Sequence, residues 1–238
     1  MGPCPKFCPM RILVLMLILS LFALSCRERP GKPEAGTAIT GALPSSPIDI
    51  LKAGNDRFVS GHPIHPDETL ERIRELKKGQ HPFAIVVSCS DSRVPPELIF
   101  DQGLGDIFSI RTAGNIIGDY ELASIEYAVE HLGVKTVLVL GHQDCGAVQA
   151  YMEDTSNTHT KGRVKDLIEY IRQEEEEKKL PQEDRNNMSI AVYANMLHGM
   201  HLLKNSMPVL KPLAERHEIT IIGGLYNMEN GKVVFVDE

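Results

Sequence analysis

Three short runs of consecutive apolar residues stand out along the chain, at 83–88, 107–110 and 136–140, and each leads into polar or glycine-bearing residues. Their members do not alternate between apolar and polar, which is typical of strands covered on both faces. Between the second and third runs, residues 120–132 carry apolar side chains at helical spacing before Gly133, which predicts an amphipathic helix ending there. A strand, a helix and a strand in succession predict a right-handed crossover within a parallel sheet.

Helical patterns lie on both sides of this predicted core. Ser46 directly before Pro47 predicts the start of a helix, because serine caps helices and proline is favoured at the first helical position. The charged segment 67–78 predicts a second helix. Further helices are predicted at 162–178, 184–206 and 208–216, and strands at 219–222 and 233–236, with a turn at Asn230-Gly231. We therefore expect an α/β fold with a central, mainly parallel sheet flanked by helices.

Length and charge narrow the class of protein. A chain of 238 residues fits one large domain and an extension. The net charge is −7, and the basic residues form no stripe that could neutralise a phosphate backbone, which argues against nucleic acid as a partner. Five cysteines, at 4, 8, 26, 89 and 145, are too few and too scattered for a disulfide framework.

The first 25 residues have the order of an export signal. Lys6 and Arg11 precede an uncharged apolar run at 12–22, which is too short to span a bilayer as a helix. Ala23-Leu24-Ser25-Cys26 then resembles the lipobox of bacterial lipoproteins. We expect residues 1–25 to be a signal peptide and Cys26 to be acylated, which would anchor the protein to a bacterial membrane after export. An uncleaved N-terminal anchor, with Cys26 as a small residue near its end, is the alternative.

Residues 26–45 are rich in proline, glycine, serine and threonine and show no apolar periodicity. This composition predicts a flexible tether. It leaves residues 46–238 as the folded domain.

Candidate metal ligands follow two of the predicted strands. Cys89 ends the first apolar run, and His142 and Cys145 follow the third. Ligands collect at the carboxyl ends of parallel strands, so these side chains converge if the two strands are neighbours. Two thiolates and an imidazole suit zinc, and three protein ligands leave the fourth position open, as in catalytic zinc sites.

The two cysteines of this candidate site also allow two other interpretations. A cysteine in a core strand is most often a small buried apolar residue, and Cys89 and Cys145 could instead form a disulfide. Asp91 and Arg93 favour the metal site, because the carboxylate lies close enough to reach a metal and the guanidinium can hold it through paired N–H donors. Such pairing lowers the pKa of a carboxylate and fixes its orientation. Asp91 could then ligate the metal or release it.

Five segments together carry a family resemblance: Cys89–Arg93 (CSDSR), Arg111–Asn115 (RTAGN), Ser124–Ala128 (SIEYA), Gly141–Ala147 (GHQDCGA) and Gly223–Tyr226 (GGLY). Over residues 46–236 the chain resembles the β-class carbonic anhydrases. The resemblance implies a Zn²⁺ cofactor bound by Cys89, His142 and Cys145. It also implies that Asp91 either fills the fourth position or turns to Arg93 and admits water, so that both are catalytic residues.

The activity implied by the resemblance is reversible hydration of CO2 to bicarbonate and a proton by a zinc-bound hydroxide, in a homodimer or homotetramer. Many plant-like members of the family have a glutamine beside the substrate, where this chain has Gly103 with Gln102 adjacent. Gln102 is therefore one candidate substrate contact. The backbone N–H of Gly146, which no side chain obstructs, is another.

Two rival functions use the same ligands. One is hydrolysis of a CO2 analogue such as carbonyl sulfide or carbon disulfide, and the other is a zinc-binding surface lipoprotein without catalysis. The presence of Asp91 and Arg93 argues against the second, because zinc storage needs ligands but no gate.

Two other clusters of titratable residues have simpler explanations. The acidic run 174–177, followed by Lys178 and Lys179, predicts a solvated helix face. A calcium site there lacks turn-forming residues to fold oxygens around an ion. His198 and His201 lie three apart on a predicted helix among apolar residues, which favours packing or a surface face over a metal site.

Acylation at Cys26 can be tested by labelling. Labelled fatty acid should enter the wild-type protein but not Cys26→Ala, because the lipid is attached through that thiol. Equal labelling of both proteins, or unlabelled protein in the cytoplasm, would contradict acylation at Cys26.

Overall fold

The computed structural model describes residues 46–154, 161–181 and 183–237. The predicted signal peptide, Cys26 and the tether at 26–45 lie outside the described residues. Within the described ranges, no helix has both the length and the apolar character needed to cross a membrane.

A five-stranded sheet forms the centre of the domain, with the order β2-β1-β3-β4-β5. Its strands are β1 (Ala84–Cys89), β2 (Ile107–Thr112), β3 (Thr136–His142), β4 (Thr220–Tyr226) and β5 (Val233–Val236). The first four run parallel, and β5 pairs antiparallel with β4. This confirms the mainly parallel sheet expected from the sequence, including the turn that joins the last two strands.

The described helices cover both faces of this sheet. They are α1 (Pro47–Val59), α2 (Leu70–Leu76), α3 (Pro96–Ile99), α4 (Asp119–Leu132), α5 (Gly146–Glu153), α6 (Arg163–Gln173), α7 (Glu175–Lys179), α8 (Met188–Asn205) and α9 (Leu210–Glu215). Ser46 caps α1 by accepting a hydrogen bond from the backbone N–H of Asp49 at 3.2 Å. Gly133 ends α4 in the left-handed conformation, with φ of 72°, as the sequence predicted.

Two apolar cores lie on opposite faces of the sheet, and β1 contributes to both. Ala84 and Val86 pack with Leu51 of α1, whereas Ile85 and Val87 pack with Ile125 of α4. Alternate side chains of a strand point to opposite faces, so a strand covered on both faces needs apolar residues at every position. This explains the runs without alternation.

The acidic run 174–177 was wrongly predicted to be a solvated helix face. Glu174 and Glu177 are only 2% and 1% exposed. Glu174 adopts an extended ψ of 133°, which ends α6 and breaks the predicted helix 162–178. Burial raises the pKa of Glu174 to about 9 and that of Glu177 to about 7, so burial favours the neutral form of each acid.

The short helix α7 then packs on α8 through Glu176. Its carboxylate bonds to Nδ1 of His198 at 2.7 Å and to Nδ1 of His201 at 2.6 Å. The two histidines therefore serve in helix packing, which the sequence analysis favoured over a metal site.

The contact between α1 and the loop after α3 provides a test of the packing. A methyl group on Gly54 would lie 1.7 Å from the backbone oxygen of Phe100, and a backbone cannot move as a flexible side chain can. Overpacking costs about 1–3 kcal/mol, which should outweigh the roughly 1 kcal/mol that alanine gains over glycine in a helix. Gly54→Ala should therefore lower the melting temperature measured by circular dichroism. The control Asp56→Ala, on the exposed face of the same helix, should change it little; an unchanged or higher value for Gly54→Ala would contradict this packing.

Candidate metal centre

Cys89, His142 and Cys145 come together at one edge of the sheet. Cys89 and His142 are the last residues of β1 and β3, which are hydrogen-bonded parallel neighbours. Cys145 directly precedes α5. All three residues are buried, and their ligand atoms lie within 4.8 Å of one another.

The geometry of this cluster fits zinc. Two sulfur atoms about 2.3 Å from a common tetrahedral centre would lie about 3.8 Å apart, and Sγ of Cys89 and Sγ of Cys145 are 4.0 Å apart. Nδ1 of His142 lies 2.8 Å from the carbonyl oxygen of Gln143. Because a carbonyl can only accept, Nδ1 carries the proton and Nε2 offers a lone pair. Nε2 is buried and has no hydrogen-bond partner among the described residues, as a metal-binding nitrogen requires.

The sulfur atoms of Cys89 and Cys145 lie within hydrogen-bonding distance of each other, and either can be the donor. This contact lowers the pKa of Cys89 to about 4 although burial opposes the change. The pKa of Cys145 is raised by the same contact and by burial. Two backbone groups also donate to Sγ of Cys89: N–H of Gly114 at 3.3 Å and N–H of Asp91 at 3.4 Å. The site therefore stabilises negative charge on sulfur, as metal ligation requires.

Arg93 holds the carboxylate of Asp91. Its Nε donates to Oδ1 at 2.9 Å, its Nη2 donates to Oδ2 at 2.7 Å, and its backbone N–H donates to Oδ1 at 2.9 Å. This fork lowers the pKa of Asp91 to about 2. The structure thus shows the arrangement in which Asp91 is turned to Arg93, and Nη2 also donates to the carbonyl oxygen of Asp144, beside Cys145, at 3.2 Å.

Arg111 is a contributor whose role the sequence analysis missed. From β2 it donates to the carbonyl oxygen of Cys89 at 3.1 Å and to that of Asp91 at 2.7 Å. It therefore fixes the loop that carries both residues. The signal was present in the sequence, because a long cationic side chain near the end of a core strand can reach the adjacent strand's loop.

The two candidate substrate contacts differ in their surroundings. The side-chain amide of Gln102 donates to the carbonyl oxygen of Phe100 at 2.7 Å, and Gln102 lines a cavity of about 320 Å³ with Glu97, Leu98 and Leu104. Gly146 is the first residue of α5 and has open space where a side chain would be. Gly146 thus directly follows a metal ligand, whereas the amide of Gln102 is engaged within its own loop.

The position next to Gln102 has to be glycine. A Cβ on Gly103 would lie 2.0 Å from the backbone oxygen of Pro66. A glutamine at 103 would not fit in this backbone arrangement, which gives a steric reason for the departure from the plant-like pattern.

Comparison with known proteins shows which proteins share these features. The chain is 48% identical over 122 residues to a carbonic anhydrase of Mycolicibacterium smegmatis, a match that covers 51% of this chain and 59% of the relative. The structure resembles that of the β-carbonic anhydrase CcaA, with a TM-score of 0.61 and 29% identity over 80% of this chain and 86% of the other. It also resembles a tetrameric β-carbonic anhydrase of Sordaria macrospora, with a TM-score of 0.57 and 25% identity over 68% and 84% of the two chains.

The family model for carbonic anhydrase matches residues 84–233. This range includes all three clustered ligands, Asp91 and Arg93, and the entire parallel part of the sheet. On these grounds the chain belongs to the carbonic anhydrase family, and its structural relatives place it in the β class.

Proposed function

We propose that this protein is a zinc enzyme that catalyses the reversible hydration of CO2 to bicarbonate and a proton. The observation that carries the proposal is the buried cluster of Cys89, His142 and Cys145, with Asp91 held away from it by Arg93. Three ligands leave one position open for catalysis, whereas structural zinc sites use four. A stopped-flow CO2 hydration assay on the zinc-loaded protein tests the activity, and no rate above that of metal-free protein would contradict it.

When bound, zinc supplies Lewis acidity that activates a water molecule for attack on the carbon of CO2. The protein's contribution lies in position and charge. Asp91 is ionised near neutral pH, as an ordinary aspartate is, and the paired donors of Arg93 lower its pKa further, to about 2. Its carboxylate can therefore accept a hydrogen bond from the attacking water and orient it, while the absence of a side chain at Gly146 leaves open space beside Cys145 in which bicarbonate can bind.

The Asp91–Arg93 pair also argues against zinc storage as the function of the site. A storage site gains nothing from a carboxylate that is held two residues from a metal ligand by three hydrogen bonds. Carbonyl sulfide and carbon disulfide are the alternative substrates, and the same assay with each of them in place of CO2 tests that alternative. The names of the relatives favour CO2.

We further propose that the enzyme is a homodimer or homotetramer, which the tetrameric relative from Sordaria macrospora supports. We also propose that it works outside the cytoplasm, anchored through the lipid on Cys26. The support for the anchor is the order of basic, apolar and small residues at 6–26. Cys8→Ala is the matched control for the labelling experiment and should still take up fatty acid.

Removing a sulfur ligand should abolish metal binding. Cys89→Ser and Cys145→Ser each leave two protein ligands, so zinc content measured by elemental analysis should fall from one ion per chain to near zero, and CO2 hydration should fall with it. Ser90→Ala, an exposed position beside Cys89, should keep both. Full zinc occupancy in both cysteine variants would show that the assignment of these ligands is wrong.

Removing the guanidinium should free Asp91 while leaving the metal in place. Arg93→Ala should retain zinc but lose about 10-fold or more of its CO2 hydration rate, as is usual when the partner of a group beside a metal is removed. The physical reason is that the released carboxylate becomes an anionic ligand tethered next to the open position. Arg93→Lys, which keeps the charge but not the paired donors, should recover only part of the rate.

Arg163→Ala is the matched control, because Arg163 forms an exposed pair with Asp166 at 2.8 Å on α6. It should leave both the rate and the zinc content unchanged. Wild-type activity in Arg93→Ala at full zinc occupancy would show that the pair does not gate the site.

A further inference from the structure

A buried amide lies in the middle of an otherwise apolar helix. Asn195 of α8 is 3% exposed and is flanked by Ala194 and Met196, which are buried in the core. A buried polar group that lacks a hydrogen bond lowers the stability of the fold. The hydrogen bonds of this side chain therefore indicate its role.

Asn195 bonds to the turn that follows β2. Its Nδ2 donates to the carbonyl oxygen of Gly114 at 2.9 Å and to Oδ1 of Asn115 at 3.3 Å. Both bonds cross 80 or more residues of sequence. The amide therefore ties α8 to a turn that lies beside the metal centre.

This turn has an uncommon backbone conformation. Gly114 and Asn115 both have positive φ, of 70° and 47°, a region that is uncommon for residues other than glycine and that asparagine tolerates better than most. Thr112 Oγ1 donates to the carbonyl oxygen of Ile116 at 2.6 Å across the same turn. The result is that the N–H of Gly114 points at Sγ of Cys89, 3.3 Å away.

We infer that Asn195 is a positioning residue of the metal centre, which holds the N–H of Gly114 on the sulfur of Cys89. The inference rests on metal binding by Cys89, as proposed above, and not on the reaction catalysed. An N–H bond to a thiolate withdraws electron density from the sulfur, so the sulfur passes less charge to a bound metal. Such contacts to ligand atoms orient the ligands and tune the metal. With two thiolates in the site, this control of charge donation matters more than it would with three imidazoles.

The competing explanation is that Asn195 only satisfies a buried carbonyl group. The two explanations differ in what they predict for the metal. A structural role changes stability alone, whereas a positioning role also changes the electronic environment of the sulfur.

The test replaces zinc with Co²⁺ in the full chain and records the sulfur-to-cobalt charge-transfer band. Asn195→Leu removes the amide donor without adding charge, and Asn195→Asp keeps the shape but sets a carboxylate against the carbonyl of Gly114. Both variants should move the band to longer wavelength, because the sulfur lone pair rises in energy when its N–H donor is lost. The affinity for Co²⁺, from competition with a chelator, should fall about 10-fold or more, because the loop that carries the ligating sulfur is no longer held in its orientation.

Met200→Ala is the control for loosening of the same helix. Met200 is fully buried on α8 and packs in the apolar core, so its truncation should lower stability through a cavity. The band should stay at its wild-type position, and a shift as large as that of the Asn195 variants would overturn the inference.

The remaining outcomes separate this inference from the proposed function. If the wild-type chain binds no Co²⁺ or Zn²⁺, the metal site itself is wrong and both fall. If the wild type binds Co²⁺ but neither Asn195 variant changes the band or the affinity, only the inference is overturned.

Gly114→Ala provides a second route should the Asn195 variants fail to fold. Its methyl group would lie 3.0 Å from Cβ of Ala147, closer than an ordinary van der Waals contact, and φ at that position is 70°, so the substitution strains the turn while Asn195 remains. The same shift to longer wavelength is expected, and an unchanged band would overturn the inference.

Discussion

The parallel pairing of β1 with β3 is the constraint on which the rest of the site depends. Ile85 to Ser88 pair with Val137 to Leu140, and both strands then end in a metal ligand. In a sheet, a shift of register by one residue turns each side chain to the opposite face. Since each strand is buried on both faces, such a shift would require every core contact to change. The apolar packing of the two strands therefore fixes the distance between Cys89 and His142.

The strand on the other side of β1 completes the site. β2 supplies Arg111, which binds the carbonyl oxygens of Cys89 and Asp91, and its C-terminal turn supplies the N–H of Gly114. In the order β2-β1-β3, the strand β1, which ends in Cys89, thus lies between two neighbours. On one side is β3, which ends in His142, and on the other is β2, whose Arg111 orients the loop after β1. The candidate metal ligands lie on or just after β1 and β3, whereas the groups that position these ligands come largely from β2 and α8.

Much of this arrangement could be predicted from the sequence, because apolar runs and strand-end residues are local signals. The sheet, the convergence of the three ligands and the fork between Asp91 and Arg93 all follow from short segments. The burial of Glu174 and Glu177 could not be predicted, since burial is set by tertiary packing and not by the local pattern of charges. The role of Asn195 is also non-local, because its bonds to Gly114 and Asn115 join segments that are far apart in the chain. One signal was available there, namely an amide among apolar residues in a helix.

Glu174 and Asp91 differ in charge because their surroundings differ. Burial raises the pKa of Glu174 to about 9, with Glu177 and Glu176 adding negative charge nearby, and the acid is therefore neutral near pH 7 and contributes to packing. Asp91 differs because Arg93 donates to both of its oxygens and lowers its pKa to about 2. The same chemical group is thus neutral between helices and ionised at the sheet edge. Because the guanidinium that lowers the pKa of Asp91 also holds its carboxylate in place, the negative charge lies in the loop beside Cys89 in a fixed orientation. In the proposed reaction such a carboxylate orients water, and the arginine that positions it lies only two residues further along the chain.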